Sequence, residues 1–127
     1  MIKSLWASPL TLFGLAAIWL ASRFGADLTR SIRWAPLTRW GRAYHLNPPT
    51  KWFRGLTIGE VVVYSGNEVA VQTFLHESCH VRQARRWGIF LPICYTIASI
   101  VLLVWGRHWY WDNPFERAAR RAAGQDD

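Results

Sequence analysis

The residues best suited to chemistry are two histidines and a glutamate in the short sequence His76-Glu77-Ser78-Cys79-His80. On an α-helix, side chains four positions apart lie on one face, so His76 and His80 can direct their imidazole nitrogens at a single ion. Glu77 is rotated about 100° around the helix from His76, so its carboxylate would reach a water on the ion rather than the ion itself. This H-E-x-x-H pattern indicates a zinc hydrolase site, where the ion lowers the pKa of its water to about 7 and Glu77 acts as general base.

A catalytic zinc ion also needs a third protein ligand and one open position. The downstream candidates are His108, Asp112 and Glu116. Glu116 is favoured because it falls in the first turn of a predicted final helix, where alanines at 118, 119, 122 and 123 would permit close approach to the metal-binding helix. A second role for Glu116, as the capping-box partner of Asn113, is compatible with the first. The sequence therefore predicts His76, His80 and Glu116 as metal ligands.

Two kinds of element must position the motif. Residues 56–58 and 61–64 are rich in β-branched and apolar side chains and are separated by glycine, which predicts a short strand or hairpin. The turn Ser65-Gly66-Asn67 supplies helix-capping residues, and no proline or glycine interrupts residues 68–87, which predicts a helix from near Glu68.

One face of this helix is predicted to be buried. Apolar or small residues recur at steps of three and four, at Val71, Phe74, Leu75, Ser78 and Val81. Burying that stripe would turn the two histidines on the opposite side toward a cleft. Farther along, Asn113-Pro114 predicts the start of a helix over residues 115–123, followed by a loose tail at 124–127.

The remaining segments suggest a membrane setting. Residues 5–22 form an apolar run of barely spanning length, which we interpret as an uncleaved anchor over residues 1–24, with a cleaved signal peptide as the alternative. The arginines after this run place the following chain in the cytoplasm by the positive-inside rule. Residues 25–55 are predicted to be a basic Trp/Arg-rich linker, loop-like over 35–49 because of its prolines and glycine.

A second apolar run, residues 89–106, sets a geometric condition. If it crossed the bilayer once, Glu116 would lie about 30 Å from the histidines, on the other side of the hydrocarbon. We therefore predict that the run stays on one side as an interfacial segment, inside a metal-binding domain over residues 56–123.

Composition narrows the class of protein. The chain has 127 residues, 51% hydrophobic residues, 9 tryptophans and a net charge of +7, a mixture that suits an anionic headgroup layer. The arginines are spread along the chain without a nucleic-acid recognition motif, so no nucleic-acid partner is predicted. Cys79 and Cys94 form no disulfide pattern.

The motif and the final helix together resemble the gluzincin clan of zinc metallopeptidases, especially the single-domain minigluzincins. The resemblance rests on two blocks within residues 56–123: residues 75–83, LHESCHVRQ, and residues 113–119, NPFERAA. It implies a zincin-like α+β fold, Glu116 as third ligand, Glu77 as base, and a peptide substrate lying along an upstream strand, here residues 61–64. The transition-state-stabilising residue stays open among Tyr95, His108 and Tyr110.

The sequence thus predicts a mostly helical α+β protein that acts as a membrane-associated zinc metallopeptidase, with peptide or protein substrates and membrane lipid as partners. One alternative is a non-proteolytic membrane protein in which zinc is structural, as in domains too small to support themselves. A membrane adaptor without metal is a further alternative.

Overall fold

The computed structural model describes residues 2–38 and 40–125, which form an α+β fold that is about 50% helical. The helices and strands follow one another as α1 Ile2–Arg23, β1 Asp27–Ser31, β2 Arg42–Asn47, β3 Gly55–Ile58, β4 Val61–Ser65, α2 Val71–Trp87, α3 Phe90–Val104 and α4 Pro114–Ala122. The α+β class expected from the sequence is confirmed, and β3 and β4 form the hairpin expected before the histidine-bearing helix α2.

The four strands form one sheet in the order β1-β2-β4-β3, in which only the β2–β4 pair is parallel. Strand β4 is interior, and Val61 to Tyr64 are buried, as is typical of an apolar strand covered on both faces. Residues 61–64, which the resemblance places along the peptide substrate, therefore have no free edge to pair with a peptide, because β4 is paired on both sides. The edge strand that contacts α2 is β3.

The segment predicted as a basic linker contributes two strands to this sheet. Strand β1 pairs antiparallel with β2, and β2 pairs in parallel with β4, with Ala43 opposite Val62. The loop predicted for residues 35–49 is thus wrong over β2. Ala43 is fully buried against β4, so a non-local pairing outweighs the local proline and glycine content.

Helix α2 begins at Val71 rather than near Glu68, and its N-cap residue Ala70 makes no side-chain capping bond. The predicted capping residue Asn67 instead accepts a hydrogen bond from the Asn47 side chain at 2.8 Å, which ties the turn to the end of β2. The predicted start is wrong because the Asn67 side chain makes this tertiary contact and does not cap the helix.

The buried face of α2 also differs from the predicted stripe. Val71 is 64% exposed and Leu75 is 38% exposed, so these two apolar positions lie outside the core. The most buried positions of α2 are Thr73, Glu77, Cys79, Val81 and Ala84. Glu77, the general base predicted from the sequence, is thus on the buried face of the helix.

Helix α3 turns sharply away from α2, with 111° between their axes. Gly88 makes this turn at a φ of 58°, a conformation that glycine adopts without steric cost. Helix α4 then packs back against α2. Helix α1 packs against α2 and β3, and its stretch Leu5–Arg23 is long and apolar enough to cross a membrane.

Candidate metal centre

Helices α2 and α4 bring the three predicted ligands together. The Nε2 atoms of His76 and His80 lie 3.2 and 2.8 Å from Oε1 of Glu116. One ligand atom from each of the three residues can be chosen so that all lie within 4.8 Å of one another. Ligands about 2.0–2.1 Å from a tetrahedral ion are roughly 3.3 Å apart, so small side-chain movements would fit the cluster to one ion.

Asn113 fixes the position of α4, and with it Glu116. Its side-chain oxygen accepts the backbone N–H of Phe115 at 3.0 Å, which is the N-cap expected from the sequence. Its amide nitrogen donates to Ser99 Oγ on α3 at 2.9 Å, and the residue is fully buried. The ring of Phe115, two residues after Asn113, packs against the rings of Tyr95 and Trp87. Asn113 therefore both caps the start of α4 and anchors α4 to α3.

The Glu116 side chain faces the histidines rather than the cap. Its second oxygen, Oε2, accepts a hydrogen bond from the Tyr95 hydroxyl at 3.0 Å. The backbone N–H of Asn113, which a capping-box glutamate would accept, donates instead to the carbonyl of Tyr110. Both oxygens of Glu116 thus lie at the histidine cluster.

Two of the four alanines predicted to allow close helix packing do so. Ala119 is fully buried and Ala123 is 4% exposed, and both lie on the side of α4 that carries Glu116. Ala118 and Ala122 are exposed. The close approach of α4 to α2 therefore depends on positions three and seven residues after Glu116.

The other two third-ligand candidates serve the turn before α4. The Asp112 carboxylate accepts the backbone N–H of His108 at 2.9 Å, and His108 Nδ1 accepts the backbone N–H groups of Tyr110 and Trp111. The His108 side chain is also exposed. The structure therefore does not bring His108 or Asp112 into the cluster.

A glutamine amide orients each histidine ring. His76 Nδ1 donates to Gln125 Oε1 at 2.9 Å, and His80 Nδ1 donates to Gln83 Oε1 at 2.9 Å. The Gln83 amide is itself oriented, since its Nε2 donates to the carbonyl of Phe115 at 2.9 Å. Because an amide oxygen only accepts, both Nδ1 atoms carry hydrogen and both Nε2 atoms face Glu116.

Neither glutamine is among the site residues predicted from the sequence, although Gln83 falls on the histidine side of the predicted helix. The loose tail predicted at 124–127 is wrong at Gln125, which contacts His76, while residues 126 and 127 lie outside the described residues. Gln83 follows His80 by one helical turn, and this spacing could have suggested the contact.

The charges of the cluster support one another. Burial opposes ionisation of Glu116, but hydrogen bonds from His76 and His80 outweigh it and hold the pKa of this carboxyl at about 2. Burial also opposes protonation of the histidines, but the hydrogen bonds and negative charges around them, those of Glu116 foremost, together outweigh it and raise the pKa of both rings. Without metal, two proton-binding imidazoles thus surround one carboxylate, and protons and a metal ion compete for the same Nε2 atoms.

Strand β3 positions Glu77 on the sheet side of α2. The Thr57 hydroxyl donates to Glu77 Oε1 at 2.8 Å, and the carboxylate is 6% exposed. A Cβ atom on Gly55 would lie 2.7 Å from Glu77 Cγ, so only glycine leaves room at that strand position. Burial raises the pKa of Glu77, while the nearby His80 and His76 and the Thr57 hydroxyl lower it. A raised pKa suits a group that must take up a proton near neutral pH.

Two of the three residues considered for transition-state stabilisation lie at the cluster. Tyr95 donates to Glu116, and burial together with the charges of Glu116 and Glu77 raises the pKa of Tyr110 to about 12. Burial and Glu116 likewise raise the pKa of Tyr95. Both phenols therefore keep their protons at neutral pH and can act as hydrogen-bond donors.

We expect Gln83→Leu to weaken zinc binding by about 10- to 100-fold, because His80 loses the acceptor that holds its ring and tautomer. Competition with a fluorescent zinc chelator measures this affinity. Gln72→Leu is the matched control, since Gln72 is exposed on the same helix. Unchanged zinc affinity in Gln83→Leu, with the thermal midpoint also unchanged, would show that the amide does not orient the ligand.

Comparisons with known proteins supply no further guide to this site. No family model, no curated protein and no solved structure matches the chain.

Proposed function

We propose that the chain is a membrane-associated zinc metallopeptidase built on a minimal zincin-like unit. The observation that carries this proposal is the convergence of His76 and His80 on Glu116, with Glu77 on the same helix turn. The donor set of two imidazole nitrogens and one carboxylate fits the ligands of catalytic zinc. When bound there, zinc would lower the pKa of a water and polarise the carbonyl of the scissile peptide.

Glu77 is the proton-accepting group in this proposal. Its carboxylate is held by Thr57, and the charges of both histidines act on it, so it borders the ligand cluster without belonging to it. It would accept the proton of the attacking water and then deliver it to the leaving amine. The phenols of Tyr95 and Tyr110 would be the donors available to the oxygen that becomes negative during attack.

Strand β3 is the natural partner for an extended peptide. Among the described residues it pairs only with β4, so no strand occupies its other edge, which could form main-chain hydrogen bonds with a peptide. The same strand holds Glu77 through Thr57. A peptide added to this edge would therefore lie next to the group that receives the proton.

A structural zinc site is the second candidate function. The low exposure of Glu77, 6%, favours it, because a general base must be able to reach the attacking water. Structural zinc normally has four protein ligands, whereas the cluster found within the described part of the chain has three. The three-ligand set leaves a position for water, which supports the catalytic proposal over the structural one.

The proposed setting is a membrane surface, with the site on the cytoplasmic side and no nucleic-acid partner. The apolar helix α1 and the net charge of +7 support this setting. Substrates would then be peptides or proteins, including segments close to the bilayer.

The proposal is tested by incubating the zinc-loaded protein, in detergent or lipid, with a mixture of unstructured peptides and reading new termini by mass spectrometry. We expect internal cleavages that a chelator stops and added zinc restores. If the protein binds one zinc ion per chain but cleaves nothing in detergent or in anionic vesicles, the structural candidate replaces the catalytic one.

A further inference from the structure

Helix α1 has two apolar sides with different surroundings. Ala7, Thr11 and Gly14, which recur at steps of four and three, are buried against the rest of the protein. The opposite side carries large apolar residues, including Leu12 at 65% and Phe13 at 67% exposure. A helix that is apolar all round is normally covered on every side, so the outer side of α1 lacks a cover.

The buried side of α1 holds it along the folded unit. A Cβ atom on Gly14 would lie 2.9 Å from the carbonyl oxygen of Ile58, and Thr11 Oγ1 accepts the backbone N–H of Glu60 at 3.1 Å. Glu60 is fully buried and lies 3.4 Å from Arg85 Nε. The middle of α1 therefore lies directly beside an ion pair of the sheet and α2.

This packing is incompatible with α1 crossing a bilayer. A span needs about 20 residues in hydrocarbon, and α1 has 22 residues in all. Crossing would place the stretch around Thr11 and Gly14 in hydrocarbon and draw the Glu60–Arg85 pair in with it, where the loss of hydration opposes the burial of both charges. The helix can instead lie in the membrane plane, with its outer side toward lipid.

Helix α3 has the same two-sided arrangement. Its inner side contributes the Tyr95 hydroxyl to Glu116 and the Ser99 hydroxyl to Asn113, while Ile97 and Ile100 on its outer side are 56% and 55% exposed. Its 15 residues extend about 22 Å, less than the roughly 30 Å of a hydrocarbon core. The chain also returns from α3 to place Glu116 beside the histidines, so α3 does not cross.

The outer sides of α1 and α3 adjoin one another. The rings of Trp6 on α1 and Phe90 on α3 are 5.7 Å apart. A Cβ atom on Gly88, at the α2–α3 turn, would lie 2.5 Å from the Trp6 indole nitrogen, so the helices meet closely there. The outer sides of the two helices therefore meet at Trp6 and Phe90, and their exposed apolar side chains together are called here the α1–α3 face.

The charges around this face match an anionic bilayer. No charged residue occurs between Trp87 and Gly106, and Arg86 and Arg107 border that stretch. Arg23 borders the end of α1, with its guanidinium 5.6 Å from the centre of the Trp19 ring. Indole rings beside guanidinium groups are typical of the headgroup layer, and the net charge of +7 adds attraction to acidic lipids.

We propose that the α1–α3 face is a monotopic docking surface that enters one leaflet of an anionic bilayer, with both helices in the membrane plane. This proposal stands apart from catalysis, because it depends only on how the helices pack. It replaces the spanning anchor expected from the sequence. The positive-inside rule then no longer applies, and the acidic lipids of the cytoplasmic leaflet become the reason for a cytoplasmic location.

The test measures binding of purified protein to vesicles of phosphatidylcholine with and without phosphatidylglycerol, in a Glu77→Gln background that cannot act on itself. We expect binding to the acidic vesicles to fall at least about tenfold in Ile97→Glu and in Phe13→Glu, since each places a charge in the apolar layer. Ile32→Glu is the matched control, because Ile32 is 89% exposed and follows β1, outside both helices of the face. Circular dichroism identifies any variant that fails to fold.

Three results would overturn the proposal. One is equal vesicle binding by Ile97→Glu, Phe13→Glu and Ile32→Glu. Another is protection from added protease of a tag at one end of the chain and not at the other, in sealed vesicles, which would mean a crossing. The third is a lipid-indifferent dimer of the wild type that Ile97→Glu dissociates, which would assign the face to a second copy. Vesicle binding as expected, with no peptide cleavage by the zinc-loaded wild type, would count against the proposed peptidase alone.

Discussion

Glu77→Gln is expected to lower kcat/KM for peptide hydrolysis by about 10²- to 10⁴-fold while leaving one zinc ion per chain. The amide cannot take the proton of the attacking water, but it has the shape of the carboxylate and can still accept a hydrogen bond from Thr57. The ligand set of His76, His80 and Glu116 is untouched. Hydrolysis of a peptide identified in the peptide mixture, together with zinc content by mass spectrometry, measures both quantities.

The matched control for this substitution is Glu68→Gln, because Glu68 is exposed just before α2 and lies outside the ligand cluster. We expect its activity to equal that of the wild type. If Glu77→Gln keeps full activity with full zinc content, Glu77 is not the base. If it loses zinc as well as activity, Glu77 helps to hold the metal and the assignment of roles on α2 is wrong.

Glu116→Gln is expected to weaken zinc binding by more than about 100-fold, beyond the loss caused by changing an outer-shell partner. The substitution removes the negative charge that faces both imidazoles and leaves a poor ligand in its place. Hydrolysis should fall in parallel and should recover in part at high zinc concentration. Titration with a competing chelator measures the affinity, and activity against zinc concentration measures the recovery.

Asp112→Asn is the control for Glu116→Gln, since Asp112 was the other carboxylate considered as third ligand and here accepts the backbone N–H of His108. We expect it to bind zinc as the wild type does. Zinc loss in Asp112→Asn together with unchanged zinc binding in Glu116→Gln would move the third ligand to the turn before α4.

The ligand cluster could be predicted because its information is local. The spacing of His76 and His80 is meaningful on any helix, and Asn113-Pro114 marks a helix start whatever its surroundings. Placing Glu116 beside the histidines needed one further argument, that residues 89–106 do not cross a bilayer. In the structure α4 follows α3, and Glu116 lies 2.8 Å from His80.

The sheet could be predicted only in part, because strand pairing is non-local. Residues 55–65 show glycine-punctuated β-branched runs, and they form the hairpin β3–β4. Strands β1 and β2 carry charged and polar residues, and their conformation depends on pairing with distant chain segments. For the same reason the expectation that a peptide lies along β4 was wrong: the partner of β4 on its other side is β2, whose pairing is not evident from the sequence.

The buried side of α2 was misassigned for a related reason. Hydrophobic periodicity selected Val71 and Leu75, which are exposed, and overlooked Glu77, which is buried. Hydrophobic periodicity assigns every carboxylate to the exposed face. The Glu77 carboxylate is nevertheless buried, because Thr57 donates a hydrogen bond to it and Gly55 leaves room for it. Gln125 was overlooked because its contact with His76 joins residues far apart in the chain.

The most direct test of the central claim, that His76, His80 and Glu116 hold one ion together, is the zinc X-ray absorption spectrum of the loaded wild type beside His80→Ala and Glu116→Gln. We predict a wild-type shell of nitrogen and oxygen at about 2.0–2.1 Å with two imidazoles, and loss of stoichiometric zinc in both variants. A sulfur shell at about 2.3 Å, which would implicate Cys79, or a wild-type spectrum kept by both variants, would contradict the claim.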